Sequence, residues 1–474
     1  MNLLEAMESA DVFGPAFKRV GDVDTWANWR AFGGCLMGLP LPADLAELAR
    51  VHTGRSDLPG KPFSEAALVI GRRGGKSRVL ATVAVYLATF RDYGPHLAPG
   101  EVATIAIIAA DRRQARSIFR FTLGLLQATP MLAGLVTDST AETITLSNRV
   151  VIEIATANFQ VTRGYTYAAV LADEVSWWRS EDSANPDEEI FRALRPGMLT
   201  IPGAMLICAS SPYRKRGVLW NAYKRSFGVN GARILVWQAT SSQMNPSLDV
   251  RIIEEAYEDD PQAAAAEYGA RFRDDLSDFV SRDAVIACIE PGRTELPPAA
   301  GLRYKAFVDM SGGGADSAVL AIAHSGQGGV GVLDLAREIK GPSSPEAAVV
   351  EFSAILKTYG LSIVTGDMYG GLWPTERYKG CGVTYVPSEL PKSAIFQNLL
   401  PLLNSPGKLQ LLDQPRLVNQ FASLERRTSI SGKDQISHPP GPNCHDDVAN
   451  AAAGALLQVA GKRSNIELWT ALAS

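Results

Sequence analysis

From Ala66 onward, short unbroken apolar runs alternate with stretches of helical period. Ala66-Ala67-Leu68-Val69-Ile70 has the length and continuity of a strand buried on both faces. Gly71 to Gly75 form a glycine-rich turn, and Lys76 to Phe90 carry the spacing of a helix. The same grammar predicts strands over Val102–Ala109, Val150–Thr156, Ala168–Ala172 and Ala204–Ala209, and a helix over Arg112–Gln127. Apolar strands alternating with helices imply a mostly parallel sheet covered on both faces. Upstream, residues 1–60 read as helix and loop, with Trp26, Trp29 and Phe32 as packing anchors and Leu39-Pro40-Leu41-Pro42 as a break.

Between Asp274 and Leu302 the chain becomes loop-rich and ends in Leu296-Pro297-Pro298-Ala299-Ala300-Gly301. A domain boundary belongs there. A second strand series follows over Tyr304–Asp309, Ala318–Ala323 and Gly329–Leu335, then a helix over Ser344–Tyr359, a strand over Ser362–Thr365 and a closing helix over His445–Ala460. Three strands joined by short turns, then a helix and a parallel strand, is the RNase H-like order. The expected division is a helical or lid-like region 1–60, a first α/β domain 61–275, a linker 276–302 and an RNase H-like domain 303–474.

At 474 residues, two ordinary domains plus extensions is the natural expectation. A content of 46% hydrophobic and 20% charged residues is that of a soluble globular protein. There is no uncharged apolar run long enough to span a bilayer, and Met1-Asn2-Leu3-Leu4-Glu5 has no signal-peptide character, so a cytoplasmic protein with no membrane partner is expected. The five cysteines stand singly, without CxxC spacing, which argues against a disulfide framework or a zinc site. A net charge of −4 excludes a protein that coats nucleic acid through its global field; any such contact must use local basic patches.

Two sets of chemistry-bearing residues sit in opposite halves. In the first, Gly71-Arg72-Arg73-Gly74-Gly75-Lys76-Ser77 follows a strand and opens a helix, the arrangement triphosphate binding needs. Backbone N–H groups and the helix N-terminus cradle the phosphates, Lys76 reaches the β and γ oxygens, and Ser77 ligates Mg²⁺. The spacing departs from GxxxxGK[ST], because Ile70 occupies the place of the first glycine. Further on, an apolar strand delivers Asp173-Glu174: the aspartate suits a Mg²⁺ contact and the glutamate polarisation of the attacking water. Arg163 is a candidate for neutralising transition-state charge, in cis or across a subunit interface, and Arg72 and Arg73 compete for that role. Arg112, Arg116 and Arg120 recur every fourth residue on one helical face. They read first as a solvated face, and second as a subunit or DNA contact.

In the second half, Asp309 and Asp367 each end an apolar run, and Asp446-Asp447 open an alanine-rich helix. Two-metal phosphodiester hydrolysis needs carboxylates converging within about 4 Å of the ions. Helix-capping aspartates are common, so the pair has a plain structural reading too. Asp447 shares a face with Asn450 and is favoured as the ligand, with Asp446 as its competitor. Asp316 reads as a turn residue before an auxiliary ligand, His445 as a phosphate-orienting or capping group, and Lys392, Arg426, Arg427 and Lys433 as surface charges before phosphate contacts. Gly370-Gly371-Leu372-Trp373-Pro374 reads as a flexible loop beside the acids.

Taken together, these segments resemble the large terminase subunit of tailed bacteriophages. The likeness is carried by the arginine-bearing phosphate loop, Ala109-Ala110-Asp111-Arg112-Arg113-Gln114-Ala115, Thr162-Arg163-Gly164, Asp173-Glu174, Ser210-Ser211-Pro212, Asp309-Met310-Ser311-Gly312-Gly313-Gly314 and His445-Asp446-Asp447, in order over roughly residues 66 to 460. It implies an ATPase joined to a DNA endonuclease, using ATP and Mg²⁺, with Mn²⁺ as an alternative at the nuclease acids. It further implies that Ser210 and Ser211 sense hydrolysis, and that the partners are double-stranded DNA, a portal protein, a small terminase subunit and further copies of the chain in a ring on the procapsid. The expected location is the host cytoplasm, transiently at the portal, and not the mature virion. The rival reading is a repair or recombination helicase-nuclease. A third is a non-catalytic DNA-binding assembly protein, against which the complete acidic sets argue.

Overall fold

The structure, a computed structural model, describes residues 1–17, 24–157, 164–178, 186–310, 317–341, 344–367, 373–428, 434–440 and 444–460. The chain divides into two compact units, one comprising Met1–Arg179 with Asn185–Asp274 and the other running from Asp275.

The first unit is built on eight strands: β1 (Glu65–Ile70), β2 (Ala103–Ala109), β3 (Val136–Ser139), β4 (Thr143–Leu146), β5 (Val150–Thr156), β6 (Tyr167–Asp173), β7 (Met205–Ser210) and β8 (Ile234–Ala239). Their order across the sheet is β3-β4-β5-β2-β6-β7-β1-β8. From β5 to β8 every neighbouring pair is parallel, and only β3, β4 and β5 pair antiparallel. The central parallel strands β1, β2, β6 and β7 are almost wholly apolar because both faces are covered, whereas β5 and β8 carry Glu153 and Gln238 at partly exposed positions. Ala66, Leu68 and Ile70 face one core with the Lys76–Phe90 and Arg112–Ala128 helices, while Ala67 and Val69 face another with Trp178, Ile190, Phe191 and Leu219. Strand β7 stands between the phosphate-loop strand β1 and the acidic strand β6, with Val69 opposite Ser210 and Asp173 opposite Ala209. Three functional segments are thereby delivered to one edge of the sheet.

The N-terminal residues are part of this core. Trp29 and Phe32, on the Ala27–Leu36 helix, are fully buried, and Phe32 meets Trp237 of β8 edge to face at 5.6 Å. Sequence periodicity missed β3, β4 and β8. The first two are short, with partly exposed residues, and β8 lies beside strongly polar text.

In the second unit Leu276–Asp278 is β9, followed by β10 (Tyr304–Asp309), β11 (Ala318–Ser325), β12 (Gly331–Ile339), β13 (Ile363–Gly366), β14 (Thr384–Pro387), β15 (Leu409–Gln410), β16 (Glu425–Thr428) and β17 (Asp434–Ser437). The main sheet has the order β14-β13-β10-β11-β12-β15, with β10, β11 and β12 antiparallel and β13 parallel to both β10 and β14. That is the RNase H-like arrangement, so the fold class read from the chain is what the structure contains: an α/β phosphate-loop unit and an RNase H-like unit. Phe307, Val319 and Ala321 face the closing helix Asp447–Val459; Val308 and Leu320 face Phe352 and Leu356 of the Pro345–Thr358 helix. Gly454 lets the closing helix lie flush on β10, since a Cβ there would sit 2.3 Å from Phe307 Cγ. Part of the loop-rich stretch 276–302 is packed into this unit: β9 pairs with β16, and Phe279, Val280, Val285 and Cys288 lie in its core.

Candidate functional site

The phosphate loop of the first unit is fixed from outside by its carbonyls. Trp29 Nε1 donates to Gly74 O at 2.9 Å, Ser241 Oγ to Arg72 O at 2.6 Å, Asn245 Nδ2 to Arg73 O at 3.1 Å, and Lys76 Nζ to Ile70 O at 3.1 Å. The Gly71, Arg72 and Gly74 N–H groups are also used, donating to Ala239 O, Glu267 O and Gly71 O, which leaves the Arg73 and Gly75 N–H groups and the start of the Lys76–Phe90 helix to face an anion. Gly71 is required because a Cβ would come within 2.3 Å of Ser241 Oγ and 2.6 Å of Tyr268 O, and Gly75 because its φ is 96°. Arg73 adopts a left-handed φ of 63° without being glycine, a strained conformation that a functional loop can hold. Arg72 leans outward to Glu267 at 3.3 Å.

Against this loop stands the end of β6. Ser77 Oγ donates to Asp173 Oδ2 at 3.0 Å, and Lys76 Nζ lies 3.4 Å from Glu174 Oε1. Glu174 is itself left-handed, with φ 51° and ψ 43°, and its Oε2 accepts from Ser210 Oγ at 3.1 Å. Ser211 Oγ accepts from Trp177 Nε1 at 3.4 Å. Burial, then repulsion from Glu174, pushes the Asp173 carboxyl well above its ordinary range, against the pull of Lys76 and Ser77. Asp173 Oδ1 is buried with no hydrogen-bond partner among the described residues, which fits a hydrated divalent cation beside Ser77. Gly71, Arg72, Arg73, Gly74, Gly75, Lys76, Ser77, Asp173, Glu174, Ser210 and Ser211 are thus all placed around the one sheet edge.

The second unit gathers its acids by register. Phe307 pairs with Thr365 and Val308 with Gly366, so Asp309 and Asp367 follow side by side at the strand ends. One amide joins them: Asn450 Nδ2 donates to Asp309 Oδ2 at 2.7 Å and to Asp367 Oδ2 at 2.8 Å. Burial and the neighbouring Asp367 raise the Asp309 carboxyl to about 8, with Lys392 opposing; Asp367 and Asp447 are also raised, chiefly by burial. Asp447 Oδ2 accepts from the Ser317 backbone at 3.2 Å, with His445 Nδ1 3.9 Å away. Among the described residues no three histidine, cysteine or acidic groups form a ready-made ion cage. Two raised, adjacent carboxylates and the buried, unpartnered Asn450 Oδ1 nonetheless fit a cation. Asp309, Asp367 and Asp447 are the residues that would hold it.

Asp446 is differently occupied. It is buried, with Oδ1 2.5 Å from Lys392 Nζ and Oδ2 accepting from the His438 backbone at 3.2 Å, so both oxygens are engaged. Lys392, read from the sequence as a surface charge, is instead an internal counter-ion. Its position on the Lys392–Leu403 helix gave no such signal, because the partner lies 54 residues away. Arg426 and Arg427 lie on β16, 3.5 Å from Asp434 and 3.7 Å from Asp275. Arg163, Thr162, Ser311 to Asp316, Gly370 to Leu372 and Lys433 lie outside the described residues. The sequence reading also missed Trp29, Ser241 and Asn245, whose roles come from distant contacts with the loop.

A phosphate loop joined through Ser77 to the acidic end of a parallel strand defines a P-loop α/β unit, here followed by an RNase H-like unit. Residues 67–185 match the family model described as terminase large subunit, T4likevirus-type, N-terminal. The chain is therefore similar to terminase large subunits over the segment from the phosphate-loop strand past Asp173-Glu174, as its motifs imply. No curated protein matches it in sequence. Among solved structures, the large terminase of bacteriophage HK97 is 14% identical with a TM-score of 0.41, covering 96% of this chain and 99% of that one. The large terminase of a thermophilic bacteriophage, in complex with ADP, is 12% identical (TM-score 0.36; 83% of this chain, 93% of that one). The large terminase nuclease from thermophilic phage G20c with bound magnesium is 19% identical (TM-score 0.32; 38% and 97%). Likenesses this distant carry no argument, and the fold rests on strand order and register.

Proposed function

We propose that this chain is a viral DNA-packaging motor and nuclease: ATP hydrolysis in the first unit drives double-stranded DNA into a procapsid, and the second unit cuts concatemeric DNA. The observation that carries the reading is the presence in one chain of two distinct constellations: Lys76-Ser77 with Asp173-Glu174, and Asp309 and Asp367 joined by Asn450, with Asp447 on the same helix as Asn450. The family match over 67–185 supports it.

In the first centre Lys76, the Arg73 and Gly75 N–H groups and the helix N-terminus bind the β and γ phosphates, Ser77 and Asp173 would hold Mg²⁺, and Glu174 orients the attacking water. Ser210, bonded to Glu174, reads the change of charge when the γ-phosphate leaves. Arg163 remains the proposed arginine finger, with Arg72 and Arg73 as competitors. In the second centre Mg²⁺ or Mn²⁺ would supply an activated water and stabilise the leaving oxygen. Asp309, Asp367 and Asp447 position it, and Lys392 offsets the acidic charge at Asp446. The partners of this reading are a portal protein, a small terminase subunit and further copies in a ring, at the procapsid in the host cytoplasm.

The test is packaging of linear duplex DNA into procapsids with ATP, alongside a forked duplex. Uptake without strand separation is expected. Separation of the fork without uptake would overturn the reading in favour of a helicase-nuclease.

A further inference from the structure

The Arg112–Ala128 helix of the first unit carries a charged face that neither centre uses. Its core side holds Ala115, Ile118, Phe119, Thr122 and Leu126, all buried. At about 100° per residue, Arg112, Arg113, Arg116, Arg120 and Gln127 fall within an arc of roughly 100° on the other side, with a rise of about 12 Å from Arg112 to Arg120. All five are exposed. Asp111 caps the helix, accepting from the Arg113 and Gln114 N–H groups, and from Arg112 to Thr137 there is no acidic residue. Arg112 pairs with Glu142 at 3.5 Å across two exposed side chains, whereas Arg113, Arg116 and Arg120 have no acidic partner among the described residues. Other exposed arginines of the unit do meet acids, as Arg72 does Glu267, Arg195 Glu65 and Arg251 Asp249.

We propose that this face is a docking surface for the phosphate backbone of double-stranded DNA. In a chain of net charge −4, three unpaired guanidinium groups on one rigid helix are a local field of the sign DNA requires. Their span matches about three or four successive phosphates on a strand, at 3.4 Å of axial rise each. Guanidinium forks suit phosphate oxygens. The one large apolar side chain within the arc, Leu123, is half-buried against the core, and Phe121 lies outside the arc beneath Arg78, so the exposed part of the face is polar and basic, the character of a DNA interface. The assignment rests on the packaging reading and adds to it the face of the motor unit that touches the duplex.

The test uses the full chain and the triple variant Arg113→Gln/Arg116→Gln/Arg120→Gln, binding a duplex of random sequence in EDTA over a range of salt concentrations. The slope of log K against log salt is expected to become shallower by about 3, near 0.9 for each phosphate no longer neutralised, with the melting temperature unchanged. A variant that binds DNA with the wild-type slope overturns the proposal while leaving the packaging reading intact. The same slope with loss of self-association in sedimentation assigns the face to a second copy and overturns it equally. A wild-type chain that binds no duplex overturns the packaging reading and this surface with it.

Discussion

Asn450 Nδ2 lies 2.7 Å from Asp309 Oδ2 and 2.8 Å from Asp367 Oδ2, so one buried neutral amide bridges two half-buried carboxyl groups. Replacing Asn450 with Leu keeps the branched outline of the side chain and removes both bonds. Outer partners of this kind are worth about 10–100-fold in metal affinity, and Mn²⁺ titration of the full chain should show a loss in that range. Unchanged Mn²⁺ affinity would mean that Asn450 only fills space.

The raised carboxyls also set a pH dependence. Asp309 keeps its proton in the folded state up to about pH 8, while the unfolded chain releases it near its ordinary value of 3.8. The folded protein therefore binds more protons between about pH 4 and 8, and stability falls as pH rises through that window. The limit is about 1.4 kcal/mol per pH unit for one proton. Chemical denaturation of metal-free protein at pH 5, 6, 7 and 8 should show the decline, and Asp309→Asn should flatten it. A wild-type profile that rises over this range would contradict the assignment.

Lys392 and Asp446 make a third test. Lys392→Met leaves a carboxylate buried without its counter-ion, and should cost about 3 kcal/mol, the low end for breaking such a pair because Lys392 is a third exposed. The double variant Lys392→Met/Asp446→Leu should regain most of that. If the double variant is less stable than the single one, the pair is not the cause.

The two centres should separate by mutation. Glu174→Gln preserves shape and the bond with Ser210 but removes the charge beside Lys76, and ATP turnover should fall by about 10² or more, with Mn²⁺-dependent cleavage retained. Asp367→Asn should give the converse. Loss of both activities in either variant would sink the assignment of one chemistry to each unit.

Trp29 reaches the phosphate loop through a single N–H. Trp29→Phe keeps an aromatic side chain and deletes that bond, worth about 1 kcal/mol, and should raise the KM for ATP about fivefold with kcat little changed. An equal fall in kcat at constant KM would place Trp29 in the chemical step instead.

What the sequence made legible follows from burial. Strands covered on both faces must be apolar, and so β1, β2, β6 and β7 stand out as runs, and the Asp173-Glu174 pair at the end of β6 stands out by contrast. Strands β14, β16 and β17 are four residues each, with mostly polar or exposed positions, and leave no period to read. The same holds at the sites. Lys76, Ser77, Asp173 and Glu174 are local patterns, but the grip of Trp29 on Gly74, of Asn245 on Arg73 and of Lys392 on Asp446 joins residues 45, 172 and 54 apart, and only the folded chain shows them.

The closing helix has a temporal consequence. It brings both Asp447 and Asn450, and it docks flush on β10 only because residue 454 is glycine. During synthesis the strands bearing Asp309 and Asp367 leave the ribosome first, and a nascent chain at that stage has two unbridged acids and no third. On the proposed function, competence to cut therefore arrives late in translation, after the whole first unit has been made, and a chain truncated before residue 447 would keep the phosphate-loop centre and lose the acidic one.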